Sequence, residues 1–141
     1  MVTRSASASY DGLGKDGKGK ITTQSGVLSG SNYGFGTRFE DGPGTNPEEL
    51  IAAAHAGCFT MALSFALAAA GRQQGNLQTS AKVTLDKDGD GFTITRSALT
   101  LTGHVDGIDA AEFERIANEA KAGCPVSKVL TCDITLDTTF D

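Results

Sequence analysis

Basic residues are scarce in this chain of 141 residues: 12 lysines and arginines stand against 17 aspartates and glutamates, for a formal net charge of −5. Binding to a phosphate backbone needs a basic stripe, so this balance excludes nucleic acid as a partner. Lys15, Lys18 and Lys20 do cluster, but among glycines and beside Asp16, which reads as a solvated hairpin turn. Cysteine is scarce too, three in all, an odd number that does not make a disulfide framework. The opening residues MVTRSASASY hold no apolar run of the kind that heads a secretory signal. Reduced thiols in the cytoplasm are therefore expected, and any disulfide there is expected to be transient and catalytic. No internal repeat is present, and no low-complexity tract beyond glycine-rich turns. This length accommodates one domain, residues 1–141, with a real core and nothing spare for a second.

Charge is absent altogether from residues 50–71, LIAAAHAGCFTMALSFALAAAG. The run is long enough to raise the question of a membrane span. It is mostly alanine, however, with His55, Thr60 and Ser64 inside, and the strands around it need something apolar to cover. The reading is no membrane span but a buried central helix, because a helix apolar all round is the mark of a core. Asn46 as N-cap, Pro47 at N1 and Glu49 at N3 open it with a capping box, and Gly71 ends it at C′.

Before this helix, residues 5–10, 19–24 and 33–40 are expected as strands between turn-rich segments. After it, residues 79–85 and 91–102 alternate with period two across DKDGD, which predicts a hairpin. Asp109 and Glu112 start a second helix with Phe113, Ile116 and Ala120 on one face, closed by Gly123. Residues 124–130 form a short third helix with Pro125 at N1, and residues 132–140 a last strand. The fold class is α+β, strands around a long central helix. A chain this small has little to wrap around an alanine-rich helix on every side, so a second copy is expected to help bury it. An obligate homodimer follows.

Cys58 lies mid-helix, where the helix dipole does not reach and burial alone would leave a thiol inert. It needs a cation from elsewhere, and Arg38 is the best candidate. On a strand over residues 33–40, Arg38 faces away from Phe35 and Phe39, on the open side with Gly34 and Gly36. Glu48 or Glu49 is placed to orient that guanidinium through a bidentate pair. Ten residues at 1.5 Å rise set Glu48 about 15 Å from Cys58 along an intact helix. If the two share a site, Glu48 comes from a second subunit. Cys124, as N-cap of a short helix, sits near free N–H groups that favour a thiolate. One buried thiol and one helix-start thiol make the layout of a peroxide-reducing cysteine with a resolving partner. Cys132 has no such support and reads as a spectator.

Other chemistries are weaker. His55, at i−3 from Cys58, invites a cysteine hydrolase, or a metal site with His104 and Cys132, but the spacing matches no zinc pattern and no Asn or Asp is placed to orient the ring. Residues 86–91, DKDGDG, imitate an EF-hand loop, yet its twelfth position is Ser97 and its flanks are strands. No metal and no cofactor is expected. A small-molecule binding protein with merely buried cysteines is the alternative from another class.

Three segments together resemble the OsmC/Ohr family: Asn46-Pro47-Glu48-Glu49-Leu50 running on through Ala54-His55-Ala56-Gly57-Cys58-Phe59, then Cys124-Pro125-Val126-Ser127-Lys128, with Thr37-Arg38-Phe39-Glu40 ahead of both. His55 and Thr37-Arg38-Phe39 resemble the osmotically inducible branch more than the organic hydroperoxide resistance branch. The resemblance implies a cysteine thiol peroxidase working as an intertwined homodimer with sites at the subunit interface. Carried over, Cys58 is the peroxidatic cysteine, Cys124 the resolving one, Arg38 the activating cation and Glu48 its carboxylate. The substrates implied are organic hydroperoxides and, less efficiently, hydrogen peroxide. The reductant is an external dithiol: a lipoylated protein, thioredoxin or a small thiol. Phe35, Phe39, Phe59 and Met61 are the expected pocket walls. Gly57 stands where alanine is the more familiar residue, at a cost to the helix of up to about 1 kcal/mol.

Overall fold

The computed structural model describes residues 1–141, which divide into two compact units, Met1–Leu50 and Ile51–Asp141. The first is built on a three-stranded antiparallel sheet, β1 (Ala6–Asp11), β2 (Lys18–Thr23) and β3 (Ser31–Tyr33), in that spatial order. Gly19 of β2 pairs with both Tyr10 and Tyr33. A Cβ at Gly19 would lie 2.4 Å from the Tyr33 ring, so only glycine lets that ring lie across the sheet.

The chain then departs from expectation. Instead of a strand over residues 33–40, β3 stops at Tyr33 and Phe35–Phe39 forms a short helix, α1. The Thr37 hydroxyl accepts from the Gly34 N–H at 2.9 Å and donates back to the Gly34 carbonyl at 3.1 Å. This local closure competes with sheet pairing and wins. It places Phe35 and Phe39 one turn apart, their rings 5.2 Å from each other, rather than alternating across a strand.

Helix α2 (Pro47–Ala69) begins in the first unit and runs through the second. Asn46 caps it, its side-chain oxygen accepting the Glu49 N–H at 2.7 Å. The reciprocal half of the expected capping box is replaced: Glu49 takes the Thr45 hydroxyl at 2.8 Å. At the far end Arg72 N–H reaches the Leu67 carbonyl and Gly71 N–H the Ala68 carbonyl, both at 3.0 Å, with Gly71 at φ +85°. That is a Schellman closure with glycine at C′, as the sequence requires.

In the second unit β4 (Gly75–Asp88) and β5 (Gly91–Val105) form a long antiparallel hairpin, with a bulge at Thr84/Leu85. After α3 (Ala110–Gly123) and α4 (Pro125–Val129), the last strand β6 (Asp133–Phe140) joins β5 in parallel. Asp109 caps α3 through the Glu112 N–H at 2.8 Å. The core gathers Phe59, Leu63 and Leu67 from α2, Leu99, Leu101 and Val105 from β5, and Phe113, Ile116, Ala117 and Ala120 from α3.

Only one face of α2 is sealed. His55, Phe59, Leu63 and Leu67 are buried at helical spacing, whereas Met61 and Phe65 stand 62% and 68% exposed beside Ala53, Ala54, Gly57, Ser64 and Ala68. The helix is long and apolar enough to cross a membrane by length and composition alone. Within a single chain one sheet and one helix layer cover one side only, in keeping with the expectation that a chain this small cannot wrap the helix by itself.

Candidate active site

Folding packs Cys58 of α2 against the core cluster that contains Cys124, the residue between α3 and α4, and each thiol bears on the other's ionisation. Cys124 is fully buried and belongs to the core, while Cys58 is half-buried. Neither is in a disulfide. Burial raises the Cys58 thiol, and donating its proton toward Cys124 raises it further; the Val126 N–H acts in the opposite direction. Burial also opposes a charge on Cys124. There it is outweighed by donors: the Cys58 thiol, the Ser127 N–H and hydroxyl, and the Val126 N–H, so the Cys124 thiol is lowered. Cys124 is the N-cap of α4, as the sequence predicts, and its sulfur makes no side-chain cap hydrogen bond. Of the pair, Cys58 is thus the harder thiol to ionise and Cys124 the easier.

His55, one turn before Cys58, is wholly buried. Its Nδ1 lies 2.6 Å from the Ser97 hydroxyl of β5 and its Nε2 2.8 Å from the Ser127 hydroxyl of α4. Burial holds the ring below its ordinary pKa, hence neutral. Nothing in the sequence pairs these two serines with His55, because they come from remote elements. His55 has no metal-binding company: His104 is engaged elsewhere by Asp106 and the Asp141 carbonyl, and no three or more of His, Cys, Asp and Glu gather into a metal site. Cys132 lies half-buried just before β6.

In the first unit, Arg38 Nε donates to Glu48 Oε1 at 2.9 Å. The contact is single, not the bidentate pair expected, and Glu48 is the partner chosen while Glu49 serves Thr45. Glu48 is nine-tenths buried, and its Oε2 has no partner within the chain. Because α1 is a helix, Arg38 does not face away from the phenylalanines: its guanidinium carbon lies 5.5 Å from the Phe39 ring centre. Arg38, Phe35, Phe39, Tyr10, Tyr33 and Lys15 are among the residues lining a cavity of about 170 Å³. Phe35 and Phe39 thus share the lining of one cavity. Tyr10 and Tyr33 were missed, because it is the small Gly19 between them that lets two rings from different strands meet, 6.1 Å apart.

The other two expected walls part company. Phe59 is a core residue with no exposed surface, packed where a ligand does not reach. Met61 borders a shallow opening on the bare face of α2 with Ala56, Gly57, Thr60, Phe65 and Thr79.

The fold agrees with the relatives found by comparison. The OsmC-like protein family matches residues 40–139. The chain is 53% identical over 136 residues to the peroxiredoxin OsmC of Escherichia coli (strain K12), covering 96% of this chain and 95% of the relative. It is 33% identical over 112 residues to the organic hydroperoxide resistance protein OhrB of Bacillus subtilis (strain 168), covering 78% and 79%. The crystal structure of the Bacillus subtilis OhrB superposes with a TM-score of 0.69 at 28% identity, over 96% of this chain and 98% of that one. The chain belongs to the OsmC family.

Proposed function

We propose that this protein is a thiol-dependent peroxidase that reduces organic hydroperoxides, and hydrogen peroxide less efficiently, to alcohol or water in defence against oxidative and osmotic stress. The observation that carries the reading is the meeting of Cys58 and Cys124: two thiols remote in sequence, packed into one core cluster, one fully buried and the other partly open. The names of the relatives, a peroxiredoxin and an organic hydroperoxide resistance protein, support it.

Cys58, the more accessible sulfur, is the nucleophile. Its thiolate attacks the terminal peroxide oxygen, the O–O bond breaks, and the alkoxide leaves and takes up a proton. The resulting sulfenic acid condenses with Cys124 to a disulfide, which an external dithiol reduces. Burial, and then Cys124, raise the Cys58 thiol, so the reaction needs a cation at Cys58 to favour its thiolate. Arg38 is that cation. The α2 helix is continuous from Pro47 to Ala69, leaving about 15 Å of rise between Glu48 and Cys58. Each site is therefore assembled in a homodimer, with Glu48 delivered by the partner subunit. Since Arg38 and Glu48 already pair within one chain, both come from the same partner. The unpartnered Glu48 Oε2 supports this assembly, as an unsatisfied buried acceptor costs roughly 1–3 kcal/mol. So does the bare apolar face of α2. Phe35 and Phe39 give the substrate pocket its preference for alkyl groups. Residues 1–141 act as one OsmC-like domain, in the cytoplasm, with a lipoylated protein, thioredoxin or a small thiol as reductant and no metal or cofactor.

A coupled assay with cumene hydroperoxide tests the reading. Peroxide consumption with loss of two thiols, and a Cys58–Cys124 disulfide by mass spectrometry, is the expected result. Retention of all thiols with no consumption would leave a small-molecule binding protein with buried cysteines.

A further inference from the structure

We infer that the C-terminal end of α2 carries a second ligand site, which takes an aliphatic carboxylate with its head on Arg72 and its tail against Leu67, Leu77 and Val105. Neither thiol of the Cys58–Cys124 pair and neither member of the Arg38–Glu48 pair lines it. The site therefore stands whether or not the thiols reduce peroxide.

A cavity of about 360 Å³ opens where the Gly71 stop turns the chain out of α2 and β4 begins. That volume lies in the range of small-molecule sites. Backbone bonds fix its frame: the Asp106 N–H donates to the Gln74 carbonyl at 3.0 Å, and Gly75 pairs with Val105. Leu67 and Val105 are buried and Leu77 is half-buried, and together they give the cavity an apolar floor. Ser64, Gln73 and Gln74 supply uncharged polar groups, and Arg72 is the one charged residue of the lining.

Arg72 decides the ligand. An arginine at a helix C-terminus commonly donates to the last carbonyls. Backbone groups already take those here: the Ala70 and Arg72 N–H groups bond the Leu67 carbonyl, and the Gly71 N–H bonds the Ala68 carbonyl. The ion pairs of the chain use Arg38, His104 and Arg115, not Arg72. Asp106, beside Gly107, is held by His104 at 2.8 Å. Arg72 Nε is thus buried with no hydrogen-bond partner, and a buried donor on a permanently charged group destabilises the fold until an acceptor meets it. Gly107 provides the seat for the guanidinium. A Cβ there would stand 2.7 Å from Arg72 Nη1, so any larger residue would push the group out. The edge of a guanidinium presents two parallel N–H donors, Nε and one Nη, which match the two oxygens of a carboxylate. A single cation balances a single negative charge, which favours a carboxylate over a phosphate dianion. The apolar floor then calls for an aliphatic tail.

Octanoate is the probe, titrated by calorimetry into the full-length protein. It should saturate at one site per chain and shift the side-chain amide signals of Gln73 and Gln74 in nuclear magnetic resonance spectra. Arg72→Gln keeps the backbone N–H that stops α2 and should weaken octanoate at least about tenfold. Octan-1-ol, with the tail but no charge, and acetate, with the head but no tail, should each bind the parent protein more weakly than octanoate. Cys58→Ser should leave octanoate affinity unchanged, which keeps this test apart from the peroxidase reading. Equal affinity in the parent and Arg72→Gln, octan-1-ol equal to octanoate, or inorganic phosphate tighter than octanoate overturns the inference. So does a lack of saturation at millimolar octanoate; faster subunit dissociation in Arg72→Gln would then assign the buried Nε to a second copy of the chain. Should Arg72→Gln fail to fold, the octan-1-ol and acetate comparisons on the parent protein decide.

Discussion

The two chemically loaded regions of this chain are opposites. The first unit holds an ion pair, Arg38 with Glu48, beside an aromatic cavity. The second holds two thiols and a histidine–serine chain with no charged side chain acting on them. In the first there is a cation but no thiol; in the second there are thiols, but burial raises the accessible one. On the proposed mechanism neither region suffices by itself: the reaction draws on a cation as well as a thiol, and about 15 Å of rise along an unbroken α2 separates Glu48 from Cys58.

Removing the nucleophile should have the largest effect: Cys58→Ser abolishes peroxide consumption, while Cys132→Ser leaves it nearly intact. A dead Cys132→Ser variant would move the nucleophile out of the thiol pair. Removing the cation comes next. Arg38→Met should keep the fold, raise the apparent pKa of Cys58 and slow the second-order reaction at least about tenfold, since one charge-assisted contact is worth roughly 1.5–3 kcal/mol. An unchanged rate–pH profile would mean that the second unit activates its own thiol.

The histidine gives a gentler contrast. Its folded pKa lies below the ordinary 6.5, so the unfolded state binds the extra proton. Stability from this group is present above 6.5 and declines as pH falls, until the folded ring itself protonates. Urea midpoints compared above and below that value should show the decline, and His55→Gln should flatten it relative to the parent. Smallest is Gly57→Ala on the bare face of α2. A Cβ there meets nothing in the chain, so the helix should gain up to about 1 kcal/mol in thermal or urea unfolding. A loss would place a partner's backbone against Gly57.

Local signals were read well where they were self-contained. The Asn46 cap, the Gly71 stop, the Asp109 cap and the hairpin all follow from neighbours in sequence, and the structure has each. The hairpin runs longer than its alternating stretch, to Gly75 and Val105, because backbone pairing continues past the side-chain pattern. The family motif also picked out the two cysteines that meet and the carboxylate that holds Arg38. What the sequence concealed depends on distant or very local bonds. Thr37 folds a strand-like stretch into α1 by bonding both backbone groups of Gly34, which no periodicity reveals. Phe59 and Met61 looked alike as apolar neighbours of Cys58, yet helical geometry seals one and bares the other. Ser97 and Ser127 acquire meaning only once β5 and α4 close around His55.

The central claim, one active site from two chains, is tested most directly by mixing subunits. A Cys58→Ser homodimer lacks its nucleophile, and a Glu48→Gln homodimer lacks the carboxylate that holds Arg38, so each should be inactive or strongly impaired. In a heterodimer of the two, one site carries both lesions and the other carries neither. Refolded mixtures should therefore recover peroxidase activity above that of either parent. Confirmed subunit exchange with no gain in activity would contradict the account and place the complete site within a single chain.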